Sequence, residues 1–184
     1  MNLDNNNSSP AVQSLAYCLR VQFVQIQNAL TTQSFSGFWT ALSMRLYDIL
    51  VARLLQYYQV SQTGAIMLGR DIDTLRSVSM LAGTQHDHWD TLRELNTLYM
   101  IAPDQVKTML VGPEGDIHSG QGLFAKAGRE QCLVFLSRRM DYRFKSGSTL
   151  KRSGWAENLL NDLGVSDPTD QKVNIGLFAA ERKV

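Results

Sequence analysis

The sequence is poor in the residues that build disulfide frameworks and metal centres. Its 184 residues include two cysteines and three histidines, and they form no Cys-x-x-Cys, Glu-x-x-His or His-Glu-x-x-His pattern. Cys18 and Cys132 lie far apart, and each falls among apolar residues. Both are therefore predicted to be buried free thiols of a protein in a reducing compartment.

Neither one sign of charge nor a long apolar run dominates the chain. Lys and Arg number 18 against 17 Asp and Glu, a net charge of +1, which excludes a global attraction to nucleic acid or to an anionic membrane. No apolar stretch approaches about 18 residues, so no membrane-spanning helix is expected. The polar N-terminus MNLDNNNSSP has no signal-like apolar core. These features predict a cytoplasmic protein, at most peripheral to a vesicle or plasma membrane.

Helical periodicity fills most of the sequence. Apolar residues recur at intervals of three and four from Val12 to Leu30, from Phe38 to Tyr57 and through the segments that follow. There is neither an internal repeat nor sustained strand alternation. The predicted fold class is therefore all-α, an antiparallel helical bundle of about six to seven helices. We expect a disordered leader, the helical bundle and an irregular tail over residues 1–10, 11–163 and 164–184.

Glycine and proline predict the helix boundaries. Gly83 and Gly164 are placed to end helices, and Pro103 can lie in the first turn of another. Residues 111–122 contain four glycines and a proline and are expected to form a loop. The periodic segment after it, Leu123 to about Lys145, is expected to be a single helix.

Residues 84–90 read TQHDHWD and hold two of the three histidines. His86 and His88 are two apart, which on a helix turns them roughly 200° from each other, whereas helical metal ligands need a spacing of three or four. Asp87 and Asp90 instead fit a helix start, where carboxylates accept hydrogen bonds from first-turn amides and face the positive end of the dipole. The stretch is predicted to begin a helix, with a metal centre and a surface role of the histidines as alternatives.

The sequence carries no catalytic motif. The glycine-rich loop at residues 111–122 lacks the Gly-Lys-Ser/Thr of a phosphate loop, and no serine or cysteine has a nucleophile signature. We therefore expect no enzymatic activity, no cofactor and no small-molecule substrate. Two alternatives from other classes remain: an all-α metal-dependent hydrolase using His86, His88 and His118, and a nucleic-acid-binding helical module using the Arg138–Arg152 region.

Positive charge is concentrated towards the C-terminal end. Residues 126–155 hold eight Lys or Arg against Glu130 and Asp141, or +6 in a chain of net +1. The segment fits a solvated helix face or a patch for anionic phospholipid or an acidic partner. Nucleic acid is not expected, because aromatic residues do not interleave with the basic ones. On a helix, Arg139 and Arg143 would share a face. The candidate binding residues are Arg138, Arg139, Arg143, Lys145, Lys151 and Arg152.

Four sequence patterns follow one another in a fixed order. They are TGAIMLGRDIDTLRS at 63–77, WDTL at 89–92, APDQVK at 102–107 and RMDYR at 139–143. In type, order and spacing they resemble the C-terminal region of the exocyst subunit Sec-ten and its fungal relative recyclin. That family has a Gly-rich turn before an Asp-led helix, then F/W-D-x-L, A-P-D/E-x-L/V-K and L-R-A-D-Y-R/K. The resemblance covers about residues 40–146.

The resemblance implies one bundle module of a rod-shaped subunit in a multisubunit vesicle-tethering complex. Such a protein works by binding other tethering subunits and membranes, and the family brings no catalytic residues. Its members run to several hundred residues, so the chain would be a fragment, a truncated product or a detached module. No segment matches the F-box of recyclin-type members. Apolar side chains left exposed would form the interface, with Phe35, Trp39 and Trp155 as candidates.

Overall fold

The computed structural model describes residues 8–57, 59–83, 87–111, 127–146 and 149–168. A 3-10 turn spans Met80–Ala82, and strand β1 (Arg143–Ser146) pairs with strand β2 (Thr149–Arg152) in an antiparallel hairpin. Apart from this hairpin, the predicted all-α helical bundle is confirmed. Within the described ranges the seven α-helices are α1 (Pro10–Ala29), α2 (Thr32–Tyr57), α3 (Gln62–Ser79), α4 (Asp87–Thr97), α5 (Pro103–Val111), α6 (Arg129–Leu136) and α7 (Gly154–Leu163).

Short connections and local caps fix the first helices. Leu30 and Thr31 alone join α1 to α2, and the two helices contact each other, as antiparallel neighbours in a bundle do. The next helix, α3, follows Ser61, whose hydroxyl accepts a hydrogen bond from the Gly64 amide at 3.0 Å. Such an N-cap satisfies one of the amide groups that the first turn leaves without a partner.

Two glycines end helical segments where the sequence predicts them. Gly83 follows the Met80–Ala82 turn with φ of 75°, and Gly164 follows α7 with φ of 61°. This left-handed backbone conformation is strained for a residue with a Cβ but not for glycine. The boundaries predicted at these two positions are confirmed.

Two apolar clusters hold the bundle together. The larger one takes residues from every helix from α2 to α7. Leu92 and Leu95 of α4 and Leu133 and Leu136 of α6 are buried in it, which confirms the inward stripes predicted for these helices. The smaller cluster joins α1 and the start of α2 to the end of α3, and its buried members are Ala16, Phe35, Trp39 and Val78.

The TQHDHWD stretch begins a helix, as predicted. The first residue of α4 is Asp87, and both Asp87 and Asp90 lie in its first turn, where the helix dipole favours negative charge. Asp90 also accepts a hydrogen bond from the Arg76 Nε of α3 at 2.8 Å. The second carboxylate therefore joins two helices as well as supporting the start of one.

We expect Asp87→Ala to lower the free energy of unfolding by about 0.3–1 kcal/mol, because it removes one carboxylate from the positive end of α4. The side chain is exposed, so no buried contact is lost with it. Urea denaturation measures the change, which should shrink at high salt as the dipole is screened. A loss above about 2 kcal/mol, the upper end for a helix cap, would contradict a purely electrostatic role.

The segment after α6 is not the helix that its periodicity predicts. Beyond Leu136 the backbone bridges to the α2–α3 connection: the Val60 amide donates to the Arg138 carbonyl at 2.8 Å, and the Met140 amide donates to the Val60 carbonyl at 3.0 Å. The chain then enters the hairpin. The predicted single helix is wrong here because the Arg138 carbonyl and the Met140 amide bond to Val60. Met140 and Phe144 continue the apolar period in the sequence, but both side chains are exposed.

The start of α1 is anchored to α3. Helix α1 begins at Pro10, and the Ser9 amide and hydroxyl both donate to the Asp71 carboxylate of α3, at 2.6 and 2.8 Å. Ser9 and Pro10, placed by the sequence in the predicted leader, therefore belong to this anchored start. Residues 1–7 lie outside the described ranges.

Two predictions about burial in the first helices are wrong. Cys18 is exposed, although Cys132 is buried as predicted. Phe35 and Trp39, expected at an interface, are buried around Phe23, with ring centroids 5.0 and 4.9 Å from it. The physical reason is that α1 and the start of α2 build a cluster of their own, which covers aromatic residues lying off the main stripe.

Candidate interaction surface at the hairpin

Arg139 lies at the base of the hairpin and is buried, with 2% of its surface exposed. Its Nε and Nη2 donate to the two carboxylate oxygens of Asp141 at 2.8 Å. Its Nη1 donates to the carbonyls of Leu98 and Ile101 at 2.7 and 2.6 Å, and the guanidinium lies 5.1 Å from the Trp155 ring centroid. The planar fork of arginine thus joins the segment after α4, the turn after α6 and the start of α7.

This geometry removes Arg139 from any surface that faces a lipid or a partner. The predicted helical face shared with Arg143 does not form, because α6 ends at Leu136 and residue 143 opens a strand. Trp155, predicted to be an exposed interface residue, is half-buried, and its indole N–H donates to the Asp141 carbonyl at 3.1 Å. Both side chains stabilise the hairpin base.

A buried carboxylate, Asp167, holds the two strands together from outside the hairpin. It accepts hydrogen bonds from the Tyr142 hydroxyl at 3.3 Å and from the Arg143 Nη2 at 2.8 Å, and the Arg152 Nε lies 3.5 Å away. Arg143 and Arg152 are directly opposite in the strand register, so one carboxylate pairs with both strands. The start of the predicted irregular tail therefore docks on the hairpin, whereas residues 169–184 lie outside the described ranges.

Burial changes the proton affinity of two neighbouring groups. Burial raises the pKa of Tyr142, and the adjacent Asp167 carboxylate raises it further, so the phenol keeps the proton that it donates to Asp167. Burial lowers the pKa of Arg138, Tyr99 opposes that effect, and the like charge of Arg143 adds to it. The half-buried Arg138 therefore costs more to keep charged than an exposed arginine does.

The outer part of the hairpin is exposed and partly apolar. Met140, Phe144 and Leu150 expose 62%, 50% and 57% of their surfaces. Lys151 is exposed, and because it lies opposite Phe144 in the register it shares a face with that ring. Arg152 is exposed as well. We call these five residues the hairpin surface; Phe144 and Lys151 share one face of the hairpin, and Leu150 and Arg152 share the other.

The structure sorts the predicted basic residues by exposure. Arg139 is buried and excluded from the surface. Lys145 lies in β1, but its side chain is outside the described part of the chain. A binding role for the others stays a prediction. Arg138 and Arg143 are half-buried, and Lys151 and Arg152 are exposed.

Sequence reasoning missed the apolar half of the hairpin surface. Phe144 falls within the helix that the periodicity predicts up to about Lys145, and Leu150 belongs to no predicted element. A local signal was present: Gly147 and Ser148 stand between the paired Ser146 and Thr149, and two-residue connections containing glycine are typical of hairpins.

The described residues contain no group of three or more His, Cys, Asp or Glu side chains arranged to hold a metal ion. The ring of His88 packs edge-on against Tyr47, with 4.8 Å between ring centroids, and lies beside Trp89. His86 and His118, the other two histidines of the metal-site alternative, lie outside the described ranges. Within those ranges no helix is both long and apolar enough to span a membrane.

Two of the sequence patterns that carry the family resemblance, WDTL and RMDYR, contain side chains that hold the fold together. Trp89 and Leu92 of WDTL are fully buried, and the Trp89 indole N–H donates to the Ser43 hydroxyl at 3.1 Å. Arg139 and Asp141 of RMDYR form the ion pair at the hairpin base. The buried residues of these two patterns therefore specify how the chain packs.

The fold places the chain among helical-bundle proteins. Its sequence matches the family described as "Exocyst complex component Sec10-like, alpha-helical bundle" over residues 1–149. The match spans most of the chain, and the chain belongs to this exocyst family, which confirms the resemblance inferred from the sequence patterns. Strand β2 after Thr149, helix α7 and the residues beyond it follow the matched segment. No curated protein and no solved structure gave a match.

Proposed function

We propose that the chain is a non-enzymatic subunit, or a module of one, in an exocyst-like vesicle-tethering complex. The observation that carries this proposal is the family match over residues 1–149. The chain works by binding other subunits of the complex, in the cytoplasm and peripheral to a vesicle or plasma membrane, during exocytosis or endocytic recycling.

Affinity purification of the full chain from cell extract tests this proposal. Other exocyst subunits should be recovered in a constant ratio that survives washing at moderate salt. Recovery of chaperones alone, or of metal-dependent hydrolytic activity that is lost with chelator, would contradict it.

Membrane contact is assigned to the hairpin surface. Lys151 supplies an exposed cation, and each Lys or Arg close to an anionic membrane contributes about 1 kcal/mol of attraction. Phe144 shares a face of the hairpin with Lys151 and supplies an exposed apolar side chain, which can enter the headgroup region as the cation approaches the phosphates. Leu150 lies on the opposite face, so the contact is assigned to the face that carries Phe144 and Lys151.

The hairpin is supported well enough to present these groups. Asp167 pairs with Arg143 and Arg152 across both strands, and Arg139 fixes the turn that precedes β1 through Asp141. A surface held at its base by buried ion pairs needs less ordering when it binds, which lowers the entropic cost of association.

We expect Lys151→Glu to weaken binding of the full chain to phosphatidylcholine vesicles containing phosphatidylserine by roughly 30-fold, because reversing one charge near the membrane removes about 2 kcal/mol. Flotation at two salt concentrations measures it, and high salt should weaken wild type more than the variant. Phe144→Ala should weaken binding at both salt concentrations, since it removes insertion and not charge.

Arg70→Glu is the matched control for this experiment. Arg70 is an exposed arginine of α3, so its reversal changes net charge by the same amount without touching the hairpin. Equal loss of binding in Lys151→Glu and Arg70→Glu would show a general charge effect and contradict the assigned surface. Binding of wild type to pure phosphatidylcholine as strong as to the anionic vesicles would contradict it too, as would tighter binding to DNA than to vesicles.

A further inference from the structure

Strand β2 is exposed along its whole length. Its four residues, Thr149 to Arg152, are all exposed to solvent, and β1 is its one neighbour in the described sheet. Thr149 is the first residue of the strand and lies beside the turn of the hairpin. Its hydroxyl donates to the Ser146 carbonyl at 3.0 Å in an exposed position, so the hydroxyl oxygen lies at the surface.

Thr149 differs in its exposure from the other hydroxyl groups of the basic segment. Among the described Ser, Thr and Tyr residues of that segment, Ser137 and Tyr142 are buried, and Ser146 and Ser153 are half-buried. The Ser153 hydroxyl also donates to the Tyr142 carbonyl at 3.1 Å, at the base of the hairpin. Thr149 is therefore the hydroxyl that a modifying enzyme can reach without disturbing the fold.

The strand register places Thr149 on the face assigned to the membrane contact. Ser146 pairs with Thr149, and Phe144 pairs with Lys151, whereas side chains two apart in one strand point to the same face. Thr149 and Lys151 are therefore neighbours on that face, about 7 Å apart along the strand, and Phe144 is the diagonal neighbour of Thr149 across the pair. A charge added at Thr149 acts directly on the cation of this face.

Basic residues flank Thr149 on both sides in the sequence. Arg143 and Lys145 precede it by six and four positions, and Lys151 and Arg152 follow it by two and three. Residues from Thr149 onward are already extended, the conformation in which a peptide lies in a groove and offers alternate side chains to it. A groove lined with carboxylates complements this charge. The class of enzyme that fits is therefore a protein kinase with an acidic substrate groove.

We propose that Thr149 is a phosphorylation site that switches off the membrane contact of the hairpin. The proposal rests on the contact assigned to Phe144 and Lys151. A kinase transfers the γ-phosphoryl group of ATP to the Thr149 hydroxyl oxygen: the new O–P bond forms, the bond from the γ-phosphorus to the β–γ bridging oxygen breaks, ADP leaves and the hydroxyl proton is released. The phosphothreonine carries a charge of about −1.5 to −2 at pH 7.

The added phosphate opposes both parts of the membrane contact. Two residues along the strand from Lys151, it neutralises that cation or repels anionic lipid itself, and both effects remove electrostatic attraction. It also sets a hydrated dianion beside Phe144, which raises the cost of inserting that ring into the headgroup region. The hairpin stays folded, because Asp167 and Arg139 hold its base and the Thr149 hydrogen bond that changes is exposed.

Flotation of the full chain with phosphatidylcholine vesicles containing phosphatidylserine tests the switch. The chain phosphorylated at Thr149 should bind roughly tenfold to thirtyfold more weakly than the unmodified chain, because about two charges change close to the membrane. Thr149→Glu adds one negative charge and should weaken binding by about fivefold. Thr149→Gln, which has the same shape without the charge, should bind as wild type does.

Thr32→Glu is the matched control for the added charge. Thr32 is an exposed threonine at the first residue of α2, whereas the connection that bridges to the hairpin base follows the other end of that helix. A helix of 26 residues is about 39 Å long, so salt screens a charge at Thr32 from the hairpin. Its binding should match wild type, and equal loss of binding in Thr32→Glu and Thr149→Glu overturns the proposal.

Phosphate incorporation tests the site separately from the membrane. The full chain is incubated with ATP and the catalytic domain of protein kinase C, a kinase that selects hydroxyls beside Lys and Arg, and mass spectrometry locates the phosphate. Thr149 should be the main site, and Thr149→Val, which keeps the shape without the hydroxyl, should lose it. Phosphate mainly at other residues, or equal incorporation in wild type and Thr149→Val, overturns the assigned site.

The vesicle and kinase experiments together separate the switch from the contact on which it rests. Unmodified wild type that binds the anionic vesicles, with Thr149→Glu and the phosphorylated chain binding equally well, overturns the switch and leaves the membrane contact in place. Unmodified wild type that does not bind these vesicles overturns the membrane contact and the switch with it.

Discussion

Arg139→Ala is expected to lower the free energy of unfolding by about 2–6 kcal/mol, because the buried guanidinium satisfies two backbone carbonyls and each acceptor left without a donor costs about 1–3 kcal/mol. The substitution leaves the carbonyls of Leu98 and Ile101 without the donor that they share. Asp141 loses both hydrogen bonds to the guanidinium, and Trp155 loses the cation packed on its ring. Buried acceptors left unsatisfied each cost about 1–3 kcal/mol, so the predicted loss does not depend on the ion pair alone.

Two further variants separate geometry from charge at this position. Arg139→Lys keeps the positive charge but has no planar fork, and it should still lose a large part of the stability that Arg139→Ala loses. Arg93→Ala removes an exposed partner of Asp73, at 3.2 Å, and should cost less than about 1 kcal/mol. Chemical denaturation of all three gives the comparison. Equal, small losses in the three variants would mean that Arg139 is not a structural residue.

The same contacts change what a charge-reversal experiment can show. From the sequence alone, reversing Arg139 and Arg143 to Glu is expected to abolish lipid binding and leave the bundle folded. The structure predicts instead that Arg139→Glu destabilises the fold, because it would place a carboxylate beside Asp141 and two carbonyls. Lys151, which is exposed, is the position where a reversal tests binding and not stability.

Local sequence signals predicted much of the bundle. Periodicity identifies the stripe through Leu92 and Leu95, and capping chemistry identifies the helix ends at Gly83 and Gly164. Both signals involve residues that lie within three or four positions of each other in the sequence. The glycine-containing connection at residues 147–148 is likewise a local signal for a hairpin, but the place where that hairpin starts could not be predicted in this way. Its start depends on the bridge between Val60 and residues 138–140, a pairing between distant parts of the chain that no local window contains.

The candidate surface was predicted in outline and not in its members. Counting charge located the basic segment, but a count cannot tell that Arg139 donates to carbonyls 41 and 38 residues away or that Asp167 neutralises the hairpin base. Those partners are brought together only by the tertiary fold. Phe144 and Leu150 are exposed because they lie in the paired strands, and the helical periodicity of the sequence does not reveal those strands.

Trp89→Ala is expected to cost about 3–5 kcal/mol, the usual range for truncating a buried tryptophan. Trp89 is fully buried, packs edge-on against Tyr47 with 5.7 Å between ring centroids, and donates to the Ser43 hydroxyl at 3.1 Å. Its removal leaves a cavity between α2 and α4 and a buried hydroxyl without its donor. Phe38→Ala removes an exposed ring of α2 and should cost less than about 1 kcal/mol. Denaturation midpoints compare the two, and equal midpoints would contradict the packing. Because Trp89, like Arg139, belongs to the patterns shared with the exocyst family, a large loss at both positions would establish that the buried residues of those patterns encode the stability of the bundle.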